Sequence, residues 1–218
     1  MVTRLARQLD VPLRERNALL LAAGYAPVFP ERSLDDPDLD AVRRTIDLIL
    51  TGYEPVPALA IDREWTMVTA NQAAHRIGQL AVDPSLLAPP VNVIRLTLHP
   101  DGLAPRILNL AEWRDHLFER LRRDQELSGS LTLLALIDEI RGYPVASSAG
   151  QVGREAPAIS SEVAIPLQMR VGGDVLSFYS TTTVFGTPID VTVSELAIES
   201  FFPADSATSR ALARLKDE

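Results

Sequence analysis

The spacing of apolar residues changes along the chain, from a helical period in the first two thirds to strict alternation in the last third. The helical period, together with capping residues, predicts helices over residues 3–9, 13–23, 37–52, 72–81, 93–98, 106–127, 131–141 and 206–215. Three of these helices follow residues that cap helix starts well, namely Asp36 before Pro37, Asn71 and Asn92. Gly24 is placed to end the second helix.

Two short strands are predicted in the first half, at residues 58–61 and 66–70, and residues 62–65 form a tight connection between them. The longer strands come after residues 142–161, which have no apolar period and predict a long loop.

Alternation predicts three strands in the last third. Val163, Ile165, Leu167, Met169 and Val171 alternate, Gly172-Gly173 predicts a hairpin turn, residues 175–185 form the partner strand, and Ile189, Val191 and Val193 begin a fifth strand. Pro166 has no backbone donor, so strand 162–171 belongs at a sheet edge. This order of strands and helices cannot form alternating βαβ units. It predicts an α+β fold, in which helices cover one face of a five-stranded antiparallel sheet.

A motif follows the short strands. The segment from Asn92 to Leu103 reads N-V-I-R-L-T-L-H-P-D-G-L, and Asn109 and the pair Glu112-Trp113 come after it. It resembles the signature of the MmyB-like ligand-binding domain, the C-terminal sensor of a group of bacterial helix-turn-helix regulators. The leucine- and arginine-rich helix of that family has its counterpart in residues 113–123.

The resemblance covers roughly residues 36–210 and carries expectations about fold and ligand. It implies a PAS-like fold with a small-molecule pocket between the sheet and the helices. The strand–turn–strand–Asn–helix order of residues 58–81 is also similar to the opening of a PAS domain. Fatty-acid-like ligands are associated with the family, so an apolar, acyl-chain effector is expected.

The N-terminal segment resembles the end of an XRE-type helix-turn-helix domain. The resemblance implies a remnant of that domain at residues 1–25, a linker at 26–35 and the ligand-binding domain at 36–218, with most of the DNA-binding half missing. A plain helical hairpin packed on the main domain is the alternative. An apolar surface of Leu5, Leu9, Leu19, Leu20 and Leu21 should dock on the sensor domain or pair with a second copy, and a homodimer is favoured.

The charge of the chain argues against DNA binding by this segment alone. Its 218 residues carry a formal net charge of −8, whereas DNA binders need a basic face. DNA contact is therefore expected only through the missing domain, and Arg120, Arg122 and Arg123 predict a solvated helix face or, alternatively, contact with flanking DNA. The apolar runs are shorter than the roughly 18–20 residues that cross a bilayer. A cytoplasmic protein without membrane contact is expected.

Neither metal binding nor catalysis has a recognisable pattern. The chain has no cysteine, and its histidines, His75, His99 and His116, lie outside metal-ligand spacing of one another. A G-x-S-x-G elbow and phosphate-binding glycine loops are also absent from the sequence. The sequence therefore predicts no enzyme, no metal site and no cofactor.

A ligand pocket is predicted from side chains that share faces by helical or strand period. Its expected lining is Trp113, Leu117, Leu121, Leu134, Ile137, Ile165, Leu167, Met169 and Phe178. Arg95 and Arg114 lie on elements with an apolar face, and an enclosed guanidinium needs a partner. That partner is a carboxylate such as Glu112, or an acidic ligand head group. A solid core without a cavity is the structural alternative.

Together these patterns predict the sensor domain of a bacterial transcriptional regulator, in which an apolar, fatty-acid-like ligand controls DNA binding by the full-length protein. Two other classes stay open at this point. The chain could be a dimerisation or interaction domain without a ligand, or an enzyme on a PAS-like scaffold.

Overall fold

The computed structural model describes residues 1–144 and 165–217, with side chains through Leu215. Within this part of the chain the helices are α1 (Val2–Gln8), α2 (Leu13–Ala22), α3 (Asp40–Tyr53), α4 (Gln72–Gly78), α5 (Val93–Leu98), α6 (Leu110–Ser128), α7 (Leu131–Arg141), α8 (Val191–Ser194) and α9 (Ser206–Asp217). The strands are β1 (Ala58–Ile61), β2 (Met67–Ala70), β3 (Leu167–Val171), β4 (Asp174–Val184) and β5 (Ala197–Pro203). They form one antiparallel sheet in the order β2-β1-β5-β4-β3, which confirms the predicted α+β fold class. Most of the predicted loop 142–161 and the start of the predicted strand 162–171 lie outside the described residues.

The predicted capping residues hold the starts of the helices. Asn71 accepts a hydrogen bond from the backbone of Ala74, and Asn92 accepts one from the backbone of Arg95. Asp36 caps a short 3-10 turn that leads into α3. The first N–H groups of a helix have no partner inside the helix, so these side-chain acceptors fix where the chain becomes helical.

The front face of the sheet carries the main core. Its inward side chains include Leu59, Ile61, Leu167, Met169, Leu176, Phe178 and Phe201, which pack with residues of α5, α6, α7 and α9. Leu121 in α6 and Leu133 in α7 are completely buried in this cluster. The clean alternation of β3 and β4 therefore points its apolar side at the helices, as the sequence pattern predicts.

Helix α3 covers the back of the same sheet. Ile46 and Leu50 pack against Ala58, Ala60 and Ile198, which lie on the opposite face of β1 and β5. The two alanines leave room for the helix to approach the centre of the sheet. The prediction that helices cover only one face was therefore wrong.

The edge strand β3 is flanked by the segment that precedes α6. The backbone N–H of Leu108 donates to the carbonyl of Gln168 at 2.8 Å, and the Asn109 side chain donates to the Pro166 carbonyl at 2.8 Å. Asn109 also accepts a hydrogen bond from the Gln168 N–H at 3.0 Å. The long helix thus begins at Leu110 and not at residue 106, because the residues before it pair with the edge strand.

The start of the fifth strand was predicted wrongly. Val191 and Val193 belong to the short helix α8, whereas β5 begins at Ala197. The side chain of Asp190 accepts a hydrogen bond from the backbone of Thr192 and thereby starts the helical turn. An alternating V-x-V pattern fits one turn of helix with two buried positions as well as it fits a strand.

The N-terminal helices contact the main domain through α8. The Arg14 guanidinium lies 2.6 Å from a carboxylate oxygen of Glu195, and the backbone N–H of Val191 donates to the carbonyl of Pro30 at 2.8 Å. Of the predicted apolar surface, Leu20 is buried, whereas Leu5, Leu9, Leu19 and Leu21 are exposed. None of the described helices meets the length and hydropathy needed to span a membrane.

Candidate functional site

A cavity of about 410 Å³ lies between the front face of the sheet and the helices. Small-molecule sites commonly have volumes of about 300–1,000 Å³. Its sheet side is lined by Leu59, Met67, Leu167, Met169, Phe178, Ser180, Glu199 and Phe201. The opposite side is formed by residues of α4, α5 and α6, with Leu87, Pro89, Val91, Leu103 and Ile107 closing the sides. The alternative of a solid core does not describe this fold.

Five predicted site residues line this cavity: Trp113, Leu117, Leu167, Met169 and Phe178. The first two lie four residues apart on α6. Leu167 and Met169 alternate along β3, and Phe178 on β4 lies opposite Leu167. The shared faces that the sequence predicted therefore bring these side chains together. Their contact with a ligand stays a prediction.

Four other predicted apolar residues lie elsewhere. Leu121 and Ile137 are fully packed in the main core, and Ile165 is half-buried against it. Leu134 was predicted to face inward, but it is 41 % exposed. This exposure follows from the helical period. The buried stripe of α7 passes through Leu133 and Ile137 and leaves position 134 on the solvent side.

Arg95 and Arg114 do not line the cavity. The predicted carboxylate partner is present for Arg95, although it is Glu139 and not Glu112, whereas Arg114 binds backbone carbonyls. Arg95 donates to both carboxylate oxygens of Glu139, each at 2.7 Å. Arg114 donates to the carbonyl of Ile140 at 2.8 Å and so caps the C-terminal end of α7. Both guanidinium groups thus have partners within the protein, and their contact with an acidic ligand stays a prediction. Both side chains tie neighbouring elements to α7.

The contacts among Arg95, Glu139 and Tyr143 change the pKa values of the carboxylate and the phenol. The hydrogen bond from Arg95 lowers the pKa of Glu139 to about 2, and the hydroxyl of Tyr143 donates a further hydrogen bond to this carboxylate. Burial and that hydrogen bond raise the pKa of Tyr143 to about 12. The cluster therefore stays as an ion pair with a neutral phenol throughout the neutral pH range.

The motif residues shape the wall of the cavity. Asn92 donates to the carbonyl of Glu64 at 2.9 Å in addition to capping α5, and His99 accepts a hydrogen bond from the backbone of Asp101 at 3.0 Å. A Cβ on Gly102 would lie 2.2 Å from the carbonyl oxygen of Leu96, so only glycine permits this close turn. The turn places Leu103, the next residue, in the cavity wall.

Arg120 and Glu199 form a charged pair in the cavity wall that the sequence did not reveal. The guanidinium donates to both carboxylate oxygens, at 3.1 and 2.6 Å, and its Cζ atom lies 4.6 Å from the ring centre of Trp65. Arg120 was predicted to lie on a solvated or DNA-facing helix surface, which was wrong. Its position seven residues after Trp113 and three after Leu117 places it on the buried stripe. Glu199 was missed because the fifth strand was predicted too early.

Two tryptophans also line the cavity. Trp65, between β1 and β2, has a positive φ of 63°, and its indole nitrogen donates to Asp124 at 3.0 Å. Trp113 is 2 % exposed, and its indole nitrogen has no hydrogen-bond partner among the described residues. The ring of His116 lies 5.1 Å from that of Trp113, and burial lowers the pKa of this histidine.

Residues 1–144 and 165–217 contain no cluster of three or more His, Asp or Glu side chains that could hold a metal ion.

A comparison with known families identifies the domain. The family model of the MmyB-like transcription regulator ligand binding domain matches residues 42–215. The chain belongs to this family. The MmyB-like match begins inside α3 and includes every described strand, so the cavity lies within the matched domain. Membership makes the chain a regulatory domain of a transcription regulator. No curated protein matches the chain.

Proposed function

We propose that this MmyB-like domain is a sensor that binds an elongated apolar molecule in the cavity, and that binding controls DNA binding by the full-length regulator. The observation that supports this proposal is the cavity, whose walls are mainly aliphatic and aromatic side chains. Burial of each methylene group contributes about 0.8 kcal/mol. The length of an aliphatic chain would therefore set much of the affinity, and an acyl-chain compound fits this role.

We infer that the site acts by binding and not by catalysis. Arg120 and Glu199 bind each other, and the hydroxyl of Thr97 donates to the carbonyl of Val93. These polar lining groups thus have intramolecular partners, whereas an active nucleophile needs an adjacent base. His75 also lines the cavity, but it is largely exposed.

We further propose that the chain consists of an N-terminal remnant at residues 1–25, a linker at 26–35 and the ligand-binding domain at 36–218. We propose that the protein forms a homodimer through the two N-terminal helices. Leu5 is 51 % exposed, Leu9 75 % and Leu21 59 %, which leaves an apolar surface on the two helices. Exposed apolar patches favour association. Replacing Leu9 and Leu21 by glutamate should shift sedimentation towards the monomer. The matched change Leu134→Glu, on α7, should not, and a wild-type monomer at high micromolar concentration would refute the proposal.

The ligand proposal is tested with a cavity-filling variant. Nile red, a neutral dye whose fluorescence rises in apolar surroundings, should bind the wild-type protein saturably. Ala74 lies in the cavity wall on α4, so Ala74→Leu should weaken binding of the dye at least tenfold. Ala213→Leu is the matched control, because Ala213 lies on the exposed side of α9. Equal affinity of the wild type and Ala74→Leu would exclude this cavity as the binding site.

A further inference from the structure

The carboxylate of Glu195 connects the N-terminal helices to the ligand-binding domain. It accepts two hydrogen bonds from Arg14 in α2, at 2.6 and 2.9 Å, and one from Arg63 in the turn between β1 and β2, at 3.4 Å. The glutamate side chain is 20 % exposed, and the two arginines are 32 % and 31 % exposed. Solvent therefore screens this cluster less than it screens a fully exposed ion pair.

The two elements of the domain that meet at this carboxylate also form the wall of the cavity. The turn between β1 and β2 places Trp65 in the wall, two residues after Arg63. Strand β5 places Glu199 there, four residues after Glu195. A change in the position of either wall residue can therefore reach the Glu195 carboxylate through a short stretch of chain.

Trp65 holds a strained backbone conformation in this turn. Its φ of 63° lies in the left-handed region, which side chains as large as tryptophan rarely occupy and which persists only when several contacts enforce it. The backbone N–H of Trp65 donates to the carbonyl of Asp62 at 3.1 Å, and its carbonyl accepts from Val93 at 2.9 Å. A molecule in the cavity would add a packing contact to this side chain, so occupancy should favour the turn as it stands over a relaxed one.

Helix α2 depends on its docking to remain folded. It has ten residues, fewer than the roughly 12–15 that an isolated helix needs to persist in water. The docking contacts include the Arg14–Glu195 ion pair and the hydrogen bond from Val191 to the carbonyl of Pro30. Weakening the ion pair should therefore populate an open state, in which the amides of α2 exchange faster.

We propose that Glu195 couples the cavity to the N-terminal helices. A ligand that packs on Trp65 holds the turn in place, Arg63 then keeps the Glu195 carboxylate oriented, and the oriented carboxylate binds Arg14 more firmly. A carboxylate has enough lone pairs to accept from both guanidinium groups at once. The proposal rests on the proposed function, because it describes how the same cavity transmits the presence of its ligand to the segment that precedes the domain.

Amide hydrogen exchange of the full chain, measured by NMR with and without saturating Nile red, tests this coupling. The amide of Ala18 in α2 reports docking, and the amide of Leu48 in α3 reports any general stabilisation by the dye. In the wild type, Nile red should slow exchange at Ala18 at least about fivefold, the lower end of common allosteric coupling factors. In Arg63→Gln the slowing at Ala18 should disappear, while the response of Leu48 stays as in the wild type.

Two further variants separate coupling from docking itself. Glu195→Gln weakens the acceptor that both arginines share, so exchange at Ala18 should be faster without the dye and should no longer respond to it. Glu31→Gln is the matched control. Glu31 also accepts from Arg14, at 2.6 Å, but it is 53 % exposed and lies on the N-terminal side of the contact. This variant should keep the slowing that the dye produces in the wild type.

The outcomes distinguish this coupling from the proposed function. Unchanged or faster exchange at Ala18 in the wild type with the dye bound would overturn the coupling, and the ligand site would stand. Equal slowing at Ala18 in the wild type, Arg63→Gln and Glu195→Gln would also overturn it, because the effect would then bypass Glu195. If Nile red binds the wild type and Ala74→Leu with equal affinity, the cavity is not the binding site and the proposed function itself fails.

Discussion

Arg120 donates to both carboxylate oxygens of Glu199 across the wall of the cavity, at 3.1 and 2.6 Å. The pair joins α6 to the central part of the sheet, since Glu199 lies on β5 between β1 and β4. The carboxylate is almost completely buried, while the arginine is partly shielded by the ring of Trp65. Removing one partner of such a pair should therefore destabilise the fold more than removing both, because one charge would stay buried without its counter-charge.

We predict that Arg120→Met destabilises the protein by about 3 kcal/mol, because it leaves a buried carboxylate without its counter-charge. The double variant Arg120→Met/Glu199→Leu should lose less stability than this single variant. Urea unfolding at pH 7 measures both. Arg122→Met is the control and should cost less than about 0.5 kcal/mol, since exposed ion pairs contribute little. Equal destabilisation by the single and double variants would show that the two charges are not coupled.

Much of the fold could be predicted because local signals and tertiary structure agree. Asn71 and Asn92 cap the helices that the sequence assigned to them, and Pro166 lies beside an edge strand. Val191 and Val193 misled the prediction because two buried positions separated by one residue satisfy either a strand or a short helix. The cap at Asp190 is what decided between them.

The cavity could be predicted only in part. Trp113 and Leu117 follow from the helical period, but the same period should have included Arg120. Its charge suggested a solvated surface, and only the contact with Glu199, 79 residues further along the chain, explains its burial. Leu87 ends a short 3-10 helix (Pro84–Leu87), and Val91 lies in the irregular segment that follows it, and neither belongs to a stretch long enough to show a sequence period.

We predict that Gly102→Ala destabilises the protein by about 1–3 kcal/mol, the cost typical of overpacking. The new methyl group would lie 2.2 Å from the backbone carbonyl of Leu96, and backbone cannot move aside as a flexible side chain can. Gly52→Ala is the matched control. It has open space within α3 and should stabilise the protein by about 0.5–1 kcal/mol. Thermal unfolding compares the two, and unfolding temperatures at or above that of the wild type for both variants would contradict the prediction.

We predict that Asn109→Ala loosens the edge strand that forms one wall of the cavity. Asn109 donates to the Pro166 carbonyl and accepts from the Gln168 N–H, so its removal frees one backbone group just before β3 and one within it. Amide hydrogen exchange at Gln168 should accelerate at least fivefold, because a lost hydrogen bond costs about 1 kcal/mol. Exchange at Ile198 in the central strand should stay unchanged. Equal acceleration at both amides would indicate global destabilisation instead.

The last prediction concerns how the free energy of unfolding falls at acid pH. The pKa of Glu139 is lowered from its ordinary value of 4.5 to about 2, first by the hydrogen bond from Arg95. The folded state therefore binds this proton less readily than the unfolded state, and the ion pair stabilises the fold above pH 4.5. This contribution should disappear as the pH falls from 4.5 towards 2.

Glu139→Gln removes the titrating group and should flatten the decline of unfolding free energy in this acid window. At pH 7 the variant should lose at most about 1 kcal/mol, because the pair is partly exposed and screened by solvent. Glu119→Gln is the matched control, since Glu119 is 73 % exposed and lies 3.6 Å from Arg122. Urea unfolding at several pH values between 2 and 7 measures the three curves. If Glu139→Gln and Glu119→Gln decline as steeply as the wild type, the Arg95–Glu139 pair does not contribute to acid sensitivity.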